Sequence, residues 1–349
     1  MRGVLMKLLG RGKAPMYKQL EAFGEETKSQ KYSVDRRTFF RYAAKELKLL
    51  PGDLSKEYFK LSRGPGRLTF NDYVLYQLYQ AADLSLAEKR RFVSGDLMWR
   101  IAINVNDMSW QIVTEDKFLS YAVLRQLRFP IPETLAVVDE SGRCYGETAV
   151  LQKVSDLGDF LTASDAFPIF AKPNHALGSF GAMIIKGFED SKLVLESAAP
   201  LSLEEGFGAL TKGGAFLLQR VVRNHPDIEV LSPHLSTIRL TNFIGKAGVI
   251  TPCALLKLTS AGSIADNYWR KGNMMADIDM ETGRMRRVVT GKGMDMEVLT
   301  RHPASGEELI GRQIPYWQEV LDLNERCAHC FAPIKFQSLD VAVTPSGPK

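Results

Sequence analysis

The chain predicts an α+β protein with a mainly helical front, and three observations carry that prediction. Over residues 1–110, apolar side chains recur at three- and four-residue spacing, interrupted at Pro51 and at Gly64, Pro65 and Gly66. Beyond residue 130 the texture changes to short β-rich runs joined by turn residues, as in hairpins. One amphipathic segment, residues 315–331, returns to helical spacing before a last alternating run. At 349 residues, 45% hydrophobic and 24% charged, the composition is ordinary for a globular protein and allows two or three subdomains sharing a sizeable core.

Within the front, helices are expected over residues 36–50, 69–82 and 86–93. Thr114 is expected to cap a helix running to Leu127, with Lys117 on its first turn, where the positive end of the helix dipole attracts anions. Pro130 and Pro132 then lead into a strand over residues 134–138. A strand delivering Lys172, a hairpin of 182–188 with 192–195, and an apolar strand over 215–222 complete a small α+β lobe. Long strands over 236–244 and 249–259, a hairpin of 273–279 with 284–289, the helix at 315–331 and a strand at 336–344 carrying Asp340 make a mostly antiparallel second lobe. The helix stripe is read as Trp317, Val320, Leu321, Asn324, Ala328 and Phe331. The expected organisation is a helical region over 1–110, a small lobe over 111–230 and a large lobe over 231–349.

Charge and cysteine content narrow the function classes. Residues 1–64 hold 15 Lys/Arg against 7 Asp/Glu, so the net charge of +5 lies at the front. That excess reads either as a patch for anionic lipid or an anionic glycan carrier, or as solvated helix faces. Nucleic acid is not an expected partner, because no aromatic stacking platform is interleaved with the basic residues. Four cysteines, Cys144, Cys253, Cys327 and Cys330, are too few and irregular for a disulfide framework, and Cys327-Ala328-His329-Cys330 reads as part of a helix rather than half a zinc site. No apolar run approaches the ~20 residues of a membrane span and the first 15 residues do not form a signal peptide, so a cytoplasmic location is expected.

The most informative stretch is PIFAKPNHALGSFGAMII, residues 168–185. A strand bearing Lys172 meets a loop containing Gly178, Ser179 and Gly181, whose backbone N–H groups can close over an anion beside the lysine charge. The same pattern also suits a plain glycine hairpin.

Taken in order, the Pro-x-Pro strand after the Lys117 helix, Lys172 before the glycine loop, the strand ending Gln219-Arg220-Val221-Val222, and the late strand with Asp340 resemble the ATP-grasp superfamily. The segments LLQRVVRNHPDIEVLSPHLSTIRLTNFI, NYWRKGNMMADIDMETGRM and SLDVAVTPSGP are similar to its sugar-transfer-associated branch, related to α-L-glutamate ligases. The resemblance spans roughly residues 100–349 and implies a nucleotide held between two α+β lobes, with ATP and Mg²⁺ as cofactors. By that resemblance Lys117 and Lys172 neutralise phosphates, and the loop at Gly178, Ser179 and Gly181 covers the triphosphate. Gln219, with the backbone at Arg220 and Val222, meets the adenine, while Asp227 accepts the ribose. Arg239 faces the γ-phosphate or an acyl phosphate, or else forms a structural ion pair. Asn267 orients phosphate or water, or else caps a loop. Asp277 and Asp279 are read as strand-end and turn residues.

Asp340 is the expected metal ligand. The family pattern follows such a strand with another reading hydrophobic-Glu-hydrophobic-Asn, whereas this sequence stops at Lys349, which implies either a shortened sequence or a crippled metal site. The implied activity is ATP-dependent carboxylate-amine ligation through an acyl phosphate, using small-molecule carboxylate and amine substrates: an amino acid joined to a carboxylate of a sugar, glycan precursor or peptide. The alternatives are an inactive nucleotide-binding partner in polysaccharide assembly and a small-molecule kinase.

Overall fold

The computed structural model describes residues 32–176 and 179–349. The front contains helices Arg36–Lys45, Pro51–Ser62, Phe70–Leu75 and Leu86–Lys89, packed around Phe39, Leu61, Tyr73, Val74 and Leu78. Three of these helices are shorter than their periodicity suggests, and the backbone shows why for two. Lys48 and Gln77 adopt positive φ just beyond the first and third helices, a conformation that ends a right-handed helix. Thr69 is not helical but the N-cap, in a reciprocal pair with Asp72. Buried Lys89 pairs with Glu57, which also accepts the Tyr73 hydroxyl at 2.8 Å, so no polar atom of that trio is stranded in the core.

Helices Gly95–Val105 and Gln111–Glu115 lead to Lys117–Gln126. The expected cap at Thr114 is corrected here. Thr114 lies within the short helix and its hydroxyl donates back to the Gln111 carbonyl, while Asp116 caps the Lys117 helix by accepting the Leu119 N–H at 2.9 Å. A carboxylate at that position also complements the helix dipole.

The first sheet is ordered β2-β1-β7-β3-β4-β5-β6, with β1 Thr134–Val138, β2 Ala149–Leu151, β3 Ile169–Pro173, β4 Met183–Glu189, β5 Lys192–Leu195, β6 Leu201–Ser202 and β7 Phe216–Arg220. Its strands pair antiparallel except for β1 with β2. Helices Val154–Ala163 and Leu203–Thr211 bury Leu157, Leu161, Phe207 and Leu210 in the core of this sheet, with Ala136, Ile169, Ile185 and Leu218. Neither helix was expected from periodicity, although Ser202 and Glu205 form a capping box that marks the second.

The second sheet is antiparallel throughout and ordered β12-β11-β10-β9-β8-β13-β14, with β8 Thr237–Gly245, β9 Gly248–Leu258, β10 Met274–Ile278, β11 Met285–Thr290, β12 Glu297–Leu299, β13 Phe336–Thr344 and β14 Gly347–Pro348. Alternation divides its faces. Ile238, Leu240, Leu256, Ala276, Val341 and Val343 are buried with Trp317, Val320 and Leu323 of helix Trp317–Cys330. Of the expected stripe, Leu321 is only partly buried, and Leu323 takes the fuller core position. The opposite face carries Arg239, Thr241, Phe243, Phe336, Ser338 and Asp340. Inside the apolar layer, Asn242 on β8 and Asn324 on the helix exchange amide hydrogen bonds at 2.9 and 3.0 Å, joined by Thr251.

Candidate functional site

On the first sheet, two lysines meet. Lys172 stands on β3, the central strand, beside β7 and donates to the Tyr121 hydroxyl at 2.6 Å. Lys117 opens its helix and donates through Nζ to the carbonyls of Asn174 and Ala176, at 3.1 and 2.9 Å. Burial, aided by the charge of Lys172 and opposed by Asp116, brings the Lys117 ammonium down to about 8. Among the described residues neither lysine forms an ion pair with a carboxylate.

Asp116 holds this corner together. Its side chain is 4% exposed, it accepts Arg143 Nη1 at 2.6 Å, and His175 Nε2 stands 3.2 Å away. Burial would raise its carboxyl, yet Arg143, the Leu119 N–H and Asn174 outweigh that and hold it below its ordinary range. The loop that starts at Asn174 is thereby tied to the helix bearing Lys117. Further along it, Ser179 and Gly181 both adopt positive φ, and a Cβ on Gly181 would press within 3.2 Å of Pro173, so glycine serves both space and conformation there. Gly178 lies outside the described residues.

The expected adenine segment follows on β7. Gln219 is buried and its amide donates to the Thr134 hydroxyl at 3.0 Å. The Arg220 N–H donates to the Glu133 carbonyl, and its guanidinium pairs with the Glu133 carboxylate at 2.8 Å, so that backbone donor is already engaged. Val222 lies just past the strand end, half-buried in an irregular connection. Asp227 sits in the short helix Pro226–Glu229 with its side chain 64% exposed; its carbonyl accepts Arg312 at 3.3 Å.

On the open face of the second sheet, Arg239 and Asp340 are directly opposed and form a fork-to-fork pair at 2.9 and 2.8 Å. Lys257 on β9, with its side chain 9% exposed, bridges Asp340 and Asp266 at 3.1 and 3.2 Å. Asp266 also accepts the Thr237 N–H at 3.1 Å and the Thr237 hydroxyl. Burial would raise the Asp340 carboxyl, but Lys257 and Arg239 outweigh it and hold it below its ordinary value. The structural ion pair weighed for Arg239 is therefore present, and its partner is the expected metal ligand. Lys257 and Asp266 were not expected from the sequence. The signal was there: a lysine inside the apolar run Ala254-Leu255-Leu256-Lys257-Leu258 raises the same question of a buried charge that singled out Arg239.

Asn267 performs loop work, its Oδ1 accepting the Trp269 N–H at 3.1 Å. Asp277 pairs with Arg286, and Asp279 caps the turn to Thr282, as read from the sequence. From the neighbouring loop Arg270 donates to the Ser179 carbonyl at 3.3 Å, which joins the second sheet's loops to the loop after Lys172.

Among the described residues no three His, Cys, Asp or Glu side chains gather to hold a metal ion, and Cys327 and Cys330 lie on a helix. A hard cation such as Mg²⁺ takes one or two carboxylates together with phosphate oxygens and water. Asp340 fits that need with a single carboxylate, whose two oxygens face Arg239 and Lys257.

Two α+β sheets of this topology, with cations gathered on each, define an ATP-grasp fold preceded by a mainly helical region. The chain belongs to the sugar-transfer associated ATP-grasp family, whose model matches residues 100–348. No curated protein matches it. Solved structures resembling it include the D-Ala:D-Ser ligase VanG from Enterococcus faecalis, with 11% identity over 75% of this chain and 55% of that one and a TM-score of 0.40. They also include the N5-carboxyaminoimidazole synthase from Aspergillus clavatus, with 10% identity over 74% and 49% and a TM-score of 0.38. A third is the D-alanine-D-alanine ligase from Coxiella burnetii, with 10% identity over 69% and 47% and a TM-score of 0.36. The chain spans less than two thirds of the length of each of these three. Among the described residues no helix is long and apolar enough to cross a membrane.

Proposed function

We propose that this chain binds ATP and ligates a carboxylate to an amine through an acyl phosphate. One observation carries the reading: in a chain of the ATP-grasp family, Lys117 is buried with the charge of Lys172 near enough to act on it, and their amino groups donate to carbonyl and hydroxyl oxygens rather than to a carboxylate. Gathering like charges costs free energy in the empty protein, and a bound polyphosphate offsets that cost.

In this reading an oxygen of the substrate carboxylate attacks the γ-phosphorus of ATP, and the bond from that phosphorus to the oxygen bridging it to ADP breaks. The amine nitrogen of the second substrate then attacks the acyl carbon. The C–N bond forms, the C–O bond to phosphate breaks, and the amine gives up its proton. Lys117 and Lys172 neutralise the polyphosphate, while Arg239 meets the negative charge on the transferring phosphoryl group and on the departing phosphate. Asp340 would hold Mg²⁺, which would add to the neutralisation of the phosphate charge. Arg239 is released for this role only when another cation satisfies Asp340, and Lys257 is already within 3.1 Å to do so.

The substrates are an amino acid and a carboxylate of a sugar, glycan precursor or peptide, which accords with the family's description. The reading as a nucleotide-binding partner without turnover draws support from the engagement of both Asp340 oxygens. The deciding experiment incubates the protein with ATP, Mg²⁺ and panels of amino acids and uronic acids, and follows ADP and amide products. ADP with an amide supports the ligase, ADP with a phosphorylated product supports a kinase, and ATP binding without ADP supports the inactive partner. Absence of ATP affinity rejects all three.

A further inference from the structure

The open face of the second sheet continues past the ionic pair. The β8–β13 register stacks three rungs on that face: Arg239 opposite Asp340, Thr241 opposite Ser338, and Phe243 opposite Phe336. The Thr241 and Ser338 hydroxyl oxygens stand 3.4 Å apart. The two phenyl rings are nearly coplanar in orientation, with an interplanar angle of 6° and centroids 4.9 Å apart, yet Phe243 keeps 43% of its surface exposed. The parallel pair stabilises the sheet and, with Phe243 open and Phe336 partly buried, also presents an aromatic surface to solvent at this end of the face. Phe336 is also pinned from outside the sheet. Asn106, the C-cap of helix Gly95–Val105, accepts its N–H at 2.7 Å and donates to its carbonyl at 3.0 Å, so the helical front fixes the aromatic end of the ladder.

We infer that this ladder is the subsite for a saccharide bearing a hexuronate, with its apolar ring face on Phe243 and Phe336, its hydroxyls on Thr241 and Ser338, and its reactive carboxylate at Arg239. This rests on the ligase reading and narrows its carboxylate substrate to a sugar. The succession of chemistries selects that class. A pyranose offers a C–H face to an aromatic ring and hydroxyls to hydroxyls, and a uronic acid adds a carboxylate, directly on the ring, that a guanidinium can hold. The spacing agrees: four residues of strand, at about 3.4 Å each, separate the ionic rung from the aromatic one by about 14 Å, which accommodates more than one sugar ring.

The test measures binding of digalacturonic acid, with trialanine as the peptide control, by saturation-transfer NMR and calorimetry on the full chain, alongside affinity for a fluorescent ATP analogue. Phe243→Leu keeps an apolar contact with Phe336 but removes the ring, and Phe243→Trp restores an aromatic face. The assignment expects digalacturonate to bind, Phe243→Leu to weaken it at least tenfold, Phe243→Trp to retain it, and ATP affinity and thermal unfolding to stay as in the parent. Digalacturonate that does not bind, binds equally well to Phe243→Leu, or is displaced by trialanine overturns it, whatever happens to ATP. Saccharide binding that depends on Phe243 in a protein lacking ATP affinity would uphold the subsite and reject the nucleotide reading instead.

Discussion

The paired lysines set the sharpest expectations at the scale of single residues. Lys172→Ala removes a positive charge beside the loop that starts at Asn174, and should weaken ATP binding at least tenfold, about 1.4 kcal/mol, with an unaltered thermal melt. Equal affinities in calorimetry would remove the phosphate role. Lys117 adds a pH dependence whose sign follows from its depressed value. In the free protein its ammonium is charged below about 8 and neutral above, so binding a polyphosphate takes up a proton as pH rises through that value. ATP affinity should therefore fall from pH 7 to pH 9.5, and Lys117→Arg, which stays protonated, should flatten the profile. Both lysines were legible in the sequence because each stands beside an element start or a glycine loop. Lys257 was signalled only as a charge within an apolar strand; its partners Asp340 and Asp266, 83 and 9 residues away along the chain, were not legible, because the fold alone brings them to it.

At the scale of elements, Asp116 supports more than its own helix. Asp116→Ala loses the cap, the Arg143 pair and the tie to His175 together, and should lower stability by about 2–4 kcal/mol in urea unfolding. Asp116→Asn keeps a cap acceptor and should lose less. A result within 0.5 kcal/mol of the parent for the alanine variant, on the order of an ordinary surface change, would show that the cluster carries no weight. The pH sign is that of a depressed carboxylate: the contribution is complete above the unfolded value of 3.8 and disappears as pH falls through the lower folded value, so the parent should lose its advantage over Asp116→Asn in acid. Strand ends were legible to within a residue or two where Gly and turn residues bracketed them, as at β8 and β9. Helices Val154–Ala163 and Leu203–Thr211 escaped because, at 10 and 9 residues, each spans too few turns for its apolar stripe to repeat clearly, and the sheet they cover supplies their stability. The cap at Asp116 was mistaken for Thr114 because both residues suit the role and only the fold decides which one precedes the longer helix.

At the scale of the whole molecule, loops from the two sheets already touch through Arg270 and Ser179. Hydrogen exchange should therefore slow in residues 179–182 and 260–273 together when an ATP analogue is added, and protection confined to one loop would contradict a nucleotide gripped from both sides. The two-lobed plan was legible from hairpin patterning and motif order, whereas the closed ion-pair ladder was invisible until β8, β9 and β13 lay side by side. The reciprocal amides of Asn242 and Asn324 carry one more consequence. Each has its counterpart within a dry layer, so sliding the covering helix by even one turn would strand both. The helix is thereby held in a single seating on the sheet, and the side chains on the sheet's far face, Arg239 and Asp340 among them, inherit a fixed spacing from it.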